Sequence, residues 1–245
     1  MSISNFIIYS SPRSGSSWIC DLLDSHPNIV CLGEIFHNSK LITGADNSFD
    51  KKIVSNFNIK QKNERPFDYF KHLKNNSSEK YFGFKVFPRH ANGVWKKFLK
   101  RPNFKHVFLY RENKLAQFSS LLLARTTQIW ISTNKNNKNR SPKIIFNEKE
   151  FEEFCKKEYD YLERYIQITS DKNPHICLSY ESLHDKNIQN YLLNFIGIKK
   201  KQRDIQLTSS LNIMNTSNIC NRFVNSKDAR DYLKKIKKES WRFSH

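Results

Sequence analysis

The sequence predicts an α/β fold in three layers, a central mostly parallel sheet flanked by helices, and three observations predict it. Short apolar runs rich in β-branched and aromatic residues recur as FIIYS (6–10), YFGFKVF (81–87), FKHVFLY (104–110) and HICLSY (175–180). Helical spacing of apolar residues separates them. A cluster of small polar residues lies where the first run gives way to the first helical segment. Strands that alternate with helices are joined by crossovers, which makes the strands parallel and covers both faces of the sheet.

Phe6, Ile7, Ile8, Tyr9 and Ser10 read as a buried strand that small polar residues interrupt. From Gly15 onward Trp18, Ile19, Leu22 and Leu23 recur at helical spacing until Pro27, so the unit is strand, tight loop, helix. The segments 112–130 (ENKLAQFSSLLLARTTQIW) and 152–169 (EEFCKKEYDYLERYIQIT) predict two further helices. The run 226–239 predicts a last one, with Ser226 as its cap. Two stretches break the alternation: 38–80 is polar and mixed, and 132–144 is an Asn-, Lys- and Ser-rich stretch with no period, read as a mobile basic loop. Neither an internal repeat nor a linker divides the chain, so a single domain over 1–245 is expected.

Lys and Arg number 42 against 23 Asp and Glu, a net charge of +19 that favours an anionic partner: nucleotide, acidic polysaccharide, nucleic acid or membrane surface. A Lys- and Asn-heavy solvated face explains the same charge without any partner. The five cysteines, Cys20, Cys31, Cys155, Cys177 and Cys220, are scattered and never form a C-x-x-C pair, which argues against a disulfide framework or a zinc site. No run approaches the roughly 18 apolar residues of a membrane-spanning helix. The opening MSISNFIIYS has no basic region and too short an apolar stretch for a secretory signal. A cytoplasmic protein is the expectation, with at most peripheral membrane contact.

A small-residue loop between a strand and a helix offers free backbone N–H groups beside the positive end of the helix dipole, which makes an anion site. Against the phosphate-loop pattern G-x-x-x-x-G-K-[ST], Ser10 stands at the first Gly, Ser16 at the Lys and Ser17 at the final hydroxyl. The lysine of an ATPase is missing, and Arg13 inside the loop is the available cation.

These residues carry a resemblance. SPRSGSSW (11–18) resembles the 5′-phosphosulfate loop of sulfotransferases that use 3′-phosphoadenosine-5′-phosphosulfate (PAPS), and LLDSHPNIVCLGEIFH (22–37) resembles its continuation in the bacterial carbohydrate-modifying and tyrosylprotein branches. VFLYRENKLAQFSS (107–120) is similar to the family's 3′-phosphate motif, with Arg111 and Ser119 in its two positions, and LSYESLHDKNIQNYLLNFIGI (178–198) resembles its Tyr-Glu-x-Leu segment. The resemblance implies a P-loop-like scaffold. It also implies that Arg13, Ser14, Gly15, Ser16 and Ser17 hold the 5′-phosphosulfate and that Arg111 and Ser119 hold the 3′-phosphate.

Arg111 also makes physical sense alone: it ends a buried strand, where open parallel sheets bind ligands, and a guanidinium grips phosphate through two parallel hydrogen bonds. The plainer alternative is an ion pair with Glu112 or Glu181. Glu34 matches the family's catalytic base, and a basic loop nearby would keep it ionised at the expense of basicity. His37 is the alternative base, and His26 reads as a structural residue closing the helix. Lys85 sits at a strand end, where a purposeless buried charge is costly, and is read as reaching the sulfuryl group or the acceptor; an edge-of-sheet surface lysine is the alternative. Arg89 and His90 are read as shaping the acceptor side. Trp18 offers a flat face for adenine or simply core packing, and Trp130 carries the same ambiguity. In the family a basic C-terminal loop covers the nucleotide, and Arg203, Arg222 and Phe223 fall in that region.

The expectation is therefore a metal-independent, PAPS-dependent sulfotransferase with catalytic Glu34, Arg13 and Lys85. Arg13, Ser14, Gly15, Ser16, Ser17, Trp18, Arg111 and Ser119 bind its nucleotide. The acceptor is a carbohydrate or glycolipid hydroxyl selected by 38–80 and 132–144, and the positive charge suits an anionic saccharide. Two rival readings stand beside it. One is an ATP-dependent kinase or NTPase with a degenerate phosphate loop, weakened by Ser16 in place of Lys. The other is a basic nucleic-acid-binding module, against which no groove-reading motif is found.

Overall fold

A computed structural model describes residues 4–41, 56–130, 144–169, 173–211 and 218–243. Its strands are β1 (Ser4–Tyr9), β2 (Ile29–Leu32), β3 (Tyr81–Val86), β4 (Phe104–Tyr110) and β5 (His175–Ser179). Its helices are α1 (Ser16–Asp24), α2 (Ile59–Glu64), α3 (Pro66–Asn75), α4 (Val94–Leu99), α5 (Lys114–Thr127), α6 (Glu148–Ile168), α7 (Lys186–Ile196), α8 (Lys200–Arg203) and α9 (Ser226–Lys235). The sheet runs β2-β3-β1-β4-β5 with every neighbouring pair parallel, the flanked parallel sheet of a P-loop-like α/β fold.

Alternation along the strands sends side chains to two separate cores. Ile7, Tyr9, Phe82, Phe84 and Phe108 face Tyr69, Phe70 and Leu73 of α3, Trp95 and Phe98 of α4, and Tyr165 of α6. Phe6, Ile8, Val107, Leu109 and Ile176 face Ile19 and Leu23 of α1 and Leu192, Leu193 and Ile196 of α7. Gly83 belongs to this second face because a Cβ there would overlap the Phe6 ring. A third cluster joins α5, the start of α6, residues 219–223 and α9 through Leu115, Phe118, Phe151, Ile219, Phe223 and Leu233.

The order of the strands places the site. From β1 the chain crosses to β2 on one side of the sheet, whereas from β4 it continues to β5 on the other. The crevice at the carboxyl ends of β1 and β4 is therefore a topological switch point, where ligands bind in open α/β sheets. The loop after β1 and Arg111 after β4 both lie there.

Three readings of the sequence change. β2 was not foreseen as a separate strand: four residues, all buried, carry no alternation. The polar stretch 38–80 contains α2 and α3, announced by a capping box between Asn58 and Gln61 and by Pro66 in the first turn of α3. Ser226 is the first residue of α9 rather than its cap; Asn225 stands at that position, and its side chain exchanges hydrogen bonds with the backbone of Phe146 at 2.8 and 2.9 Å. The basic loop expected at 132–144 lies outside the described residues up to Ile144. Among the described residues no helix is long and apolar enough to cross a membrane.

Candidate active site

The loop after β1 turns into α1 through two residues of positive φ, Arg13 at 65° and Gly15 at 88°. Gly15 is the N-cap of α1 in the left-handed region, and a Cβ there would overlap the Tyr180 ring packed against it. Two independent requirements thus select glycine. Gly15→Ala is expected to lower stability by about 1–2 kcal/mol from the backbone alone, with a further loss from displacing Tyr180, read as a fall in urea midpoint.

The loop's carbonyls point inward and are satisfied by protein donors. Ser10 O accepts from the Tyr165 hydroxyl at 3.3 Å, Ser11 O from the Ser14 hydroxyl at 2.8 Å, Pro12 O from Gln117 Nε2 at 3.1 Å and Arg13 O from Arg111 Nη1 at 3.3 Å. In contrast, the N–H groups of Ser16, Ser17 and Trp18 begin a nine-residue helix and have no carbonyl four residues back within it. The result is a cradle of amides with its acceptors turned away, suited to an anion. The Ser14 hydroxyl is fully buried and committed to the turn.

Guanidinium groups gather beside the cradle. Arg13 Nε donates to Ser120 Oγ at 2.8 Å and its Nη1 to the Trp130 carbonyl. Arg111 follows β4 and lies 4.8 Å over the Tyr180 ring; its Nε is 3.8 Å from Glu181 Oε1, so the ion pair weighed from the sequence is present. The Glu181 carboxylate also accepts from the backbone N–H groups of Glu112 and Asn113 at the start of α5, at 2.9 and 3.1 Å. Arg222, in the segment 219–222, donates from Nη1 to Ser119 Oγ at 2.8 Å. Burial lowers all three guanidinium pKa values, and Arg111 and Arg13 push Arg222 further down, to about 10. Positive groups crowded into a largely buried place would gain from an anion beside them.

The second half of the site runs from the cradle to the loop after β2. Lys85, 3% exposed on β3, donates to Ser17 Oγ at 2.7 Å and lies 3.3 Å from Glu34 Oε1. Glu34 Oε2 is 3.4 Å from His90 Nε2, and His90 Nδ1 accepts from the Phe87 N–H at 3.1 Å, which leaves Nε2 to donate toward Glu34. Burial pushes the Glu34 carboxyl up, but the His90 hydrogen bond and the Lys85 charge outweigh it and hold the group at about 2. His37 packs 5.9 Å from His90, its pKa lowered by burial against the opposing pull of Glu34. Lys62 of α2, wholly buried, donates to the carbonyls of His37 and Lys40 and fixes this segment.

The structure thus brings Arg13, Gly15, Ser16, Ser17, Arg111 and Ser119 to one crevice and links Lys85 and Glu34 to it through Ser17. Trp18 packs 4.9 Å from His184 and edge-on to Tyr180, so its ring serves the wall of the cradle. Trp130 is exposed and contributes its carbonyl. His26 is buried between the backbones of Gln202 and Asn28, the structural role expected of it. Arg203 donates to the Ile198 carbonyl and Phe223 is core, so of the three C-terminal candidates only Arg222 reaches Ser119. Tyr180, Gln117 and Glu158 went unassigned. Tyr180 stood inside a quoted motif, whereas nothing in the local sequence sets Glu158 apart from the other charges of α6.

No protein-family model and no curated protein matches the chain. Among solved structures it is similar to a sulfotransferase from Alicyclobacillus acidocaldarius, with 14% identity, 98% of this chain and 95% of that chain covered, and a TM-score of 0.48. A likeness of that size assigns no activity to this chain.

Proposed function

We propose that the chain is a sulfotransferase that takes the sulfuryl group of PAPS and places it on a hydroxyl of a carbohydrate or glycolipid. The supporting observation is the adjacency of two anion sites: the Arg111 guanidinium touches the Arg13 carbonyl at 3.3 Å, and Arg222 and Ser119 meet at 2.8 Å. A nucleotide with phosphate at both its 3′ and 5′ positions requires two such sites within one ligand's length. The cradle of residues 13–18 would hold the 5′ end, and Arg111, Ser119 and Arg222 the 3′-phosphate.

Bound PAPS supplies an activated sulfuryl group whose bond to the phosphate oxygen breaks as the acceptor oxygen attacks. Arg13 and Lys85 stabilise the negative charge left on the phosphate side, and the amides at the start of α1 do the same without reorganisation. Glu34 accepts the hydroxyl proton. Its low pKa makes it a weak base, which is sufficient because the attacking hydroxyl becomes strongly acidic as its oxygen bonds to sulfur. Lys85 and His90 flank Glu34, with His37 packed on His90, and these basic groups suit an acceptor that carries negative charge. Residues 38–80 and 132–144 would select it within one domain spanning 1–245.

Thermal shift separates this reading from its rivals. At a hundredfold excess over Kd, 3′,5′-diphosphoadenosine should stabilise the protein by about 2.7 kcal/mol without added metal. ATP with Mg²⁺ or a random oligonucleotide should give little. An equal or larger response to ATP with Mg²⁺ would turn the assignment to a kinase or NTPase. Transfer of labelled sulfate from PAPS to a glycan panel then identifies the acceptor.

A further inference from the structure

Glu158 lies outside every motif and outside the chemistry above, yet it stands behind the cradle. It is on the face of α6 that also carries Tyr165, two helical turns away. Its Oε2 accepts from Ser11 Oγ and, at 2.7 Å, from Gln117 Nε2. Gln117, wholly buried on α5, also reaches Ser11 Oγ at 2.9 Å and the Pro12 carbonyl at 3.1 Å. Lys114, 3% exposed one turn earlier on α5, donates to the Arg111 carbonyl at 2.6 Å and feels the Glu158 charge.

We propose that Glu158 is a positioning residue for the anion cradle: as the shared acceptor for Ser11 and Gln117, it fixes the Gln117 amide on the Pro12 carbonyl and keeps that carbonyl out of the site. The ligand implied is the nucleotide of the proposed function, on which the binding part of the inference rests; the loop geometry does not depend on it. A hydroxyl and an amide donor converging on one point need an acceptor there, and a carboxylate offers only acceptors. Burial pushes the Glu158 carboxyl up, partly offset by Ser11, Lys114 and Gln117. Of the four hydrogen bonds of this knot, three meet at Oε2 or Ser11 Oγ and the fourth is that of Gln117 on the Pro12 carbonyl, so a neutral side-chain oxygen at the Oε2 position keeps the anchor that holds the Gln117 amide. Without any acceptor there, Ser11 and Gln117 lose their common anchor and the Pro12 carbonyl is released toward the site, where it repels an anion.

The test compares Glu158→Leu, which keeps bulk and removes the acceptor, with Glu158→Gln, which keeps an oxygen and removes the charge. Backbone hydrogen exchange of Ser14 and Ile19, whose N–H groups are bonded to the Ser11 and Gly15 carbonyls of the loop, should accelerate roughly tenfold in ligand-free Glu158→Leu, on the scale of one charge-assisted hydrogen bond lost. It should stay near the parent rate in Glu158→Gln. The Kd for 3′,5′-diphosphoadenosine should rise by a similar factor, about tenfold, in Glu158→Leu alone, while the KM of the acceptor stays unchanged. Unchanged exchange in Glu158→Leu, or acceleration spread evenly over the whole chain, would overturn the positioning role. A parent protein that does not bind the nucleotide would sink the proposed function while leaving the exchange comparison intact.

Discussion

Replacing Arg111 with alanine should weaken binding of 3′,5′-diphosphoadenosine by roughly 10²–10³-fold, the loss expected when one partner of a buried charge-assisted pair is removed. The same substitution should erase most of the discrimination against nucleotides that lack the 3′-phosphate. The ligand-free protein loses the contact with the Arg13 carbonyl, the stack on Tyr180 and the ion pair with Glu181, whose carboxylate keeps its two backbone N–H donors, but it is also relieved of a positive charge that disfavours those of Arg13 and Arg222. Its melting temperature should therefore move much less than the ligand-induced shift. Arg111→Lys separates charge from geometry: the ammonium remains, but the planar fork is gone, so affinity should recover only in part. Identical ligand-induced shifts in Arg111→Ala and parent would refute this role.

Glu34→Gln should leave nucleotide binding within a fewfold of the parent and lower turnover by roughly 10²–10⁴-fold, the usual contribution of a positioned general base. The pH dependence tells Glu34 from His37. Held at about 2, well below the ordinary carboxylate value of 4.5, Glu34 stays ionised through mild acid, so kcat should show no acid limb down to about pH 4. With the folded pKa lowered, the stability Glu34 contributes is present above the unfolded value and disappears as pH falls through the folded one, between about 4.5 and 2. His37 would behave otherwise: an imidazole base, even with its pKa lowered by burial, gives kcat an acid limb as it takes up a proton. Such an acid limb, together with unimpaired turnover in Glu34→Gln, would move the base to His37.

The parts of the site that sequence revealed are those that sequence neighbours build. The cradle is a strand, a loop and a helix in succession, which spacing locates, and Arg111 with Ser119 is a strand end followed by two turns of helix, a short stretch that the family resemblance could single out. β4 is legible for the same reason, as seven consecutive residues of strand character. The polar segment IKQKNE of α2 shows no apolar stripe, and only its capping pair marks it. Arg222, Gln117 and Glu158 acquire their meaning from residues that lie 103, 106 and 147 positions away. No window on the chain contains both partners of those contacts. Lys85 was visible as a charge in a buried strand, but the direction of its side chain, toward Ser17 and Glu34, follows from its pairing with Ile8 on the α1 face of the sheet.

The meeting of Ser119 with Arg222 also divides the candidate site between two parts of the structure. Both principal sheet cores are built almost wholly from residues that precede 199, whereas Arg222 arrives with a peripheral cluster that docks α9 and residues 219–223 against α5. The pocket is thus completed by a cluster that lies outside both sheet cores. Substitutions that loosen the packing of α9 and residues 219–223 would therefore reach the candidate site without disturbing either sheet core.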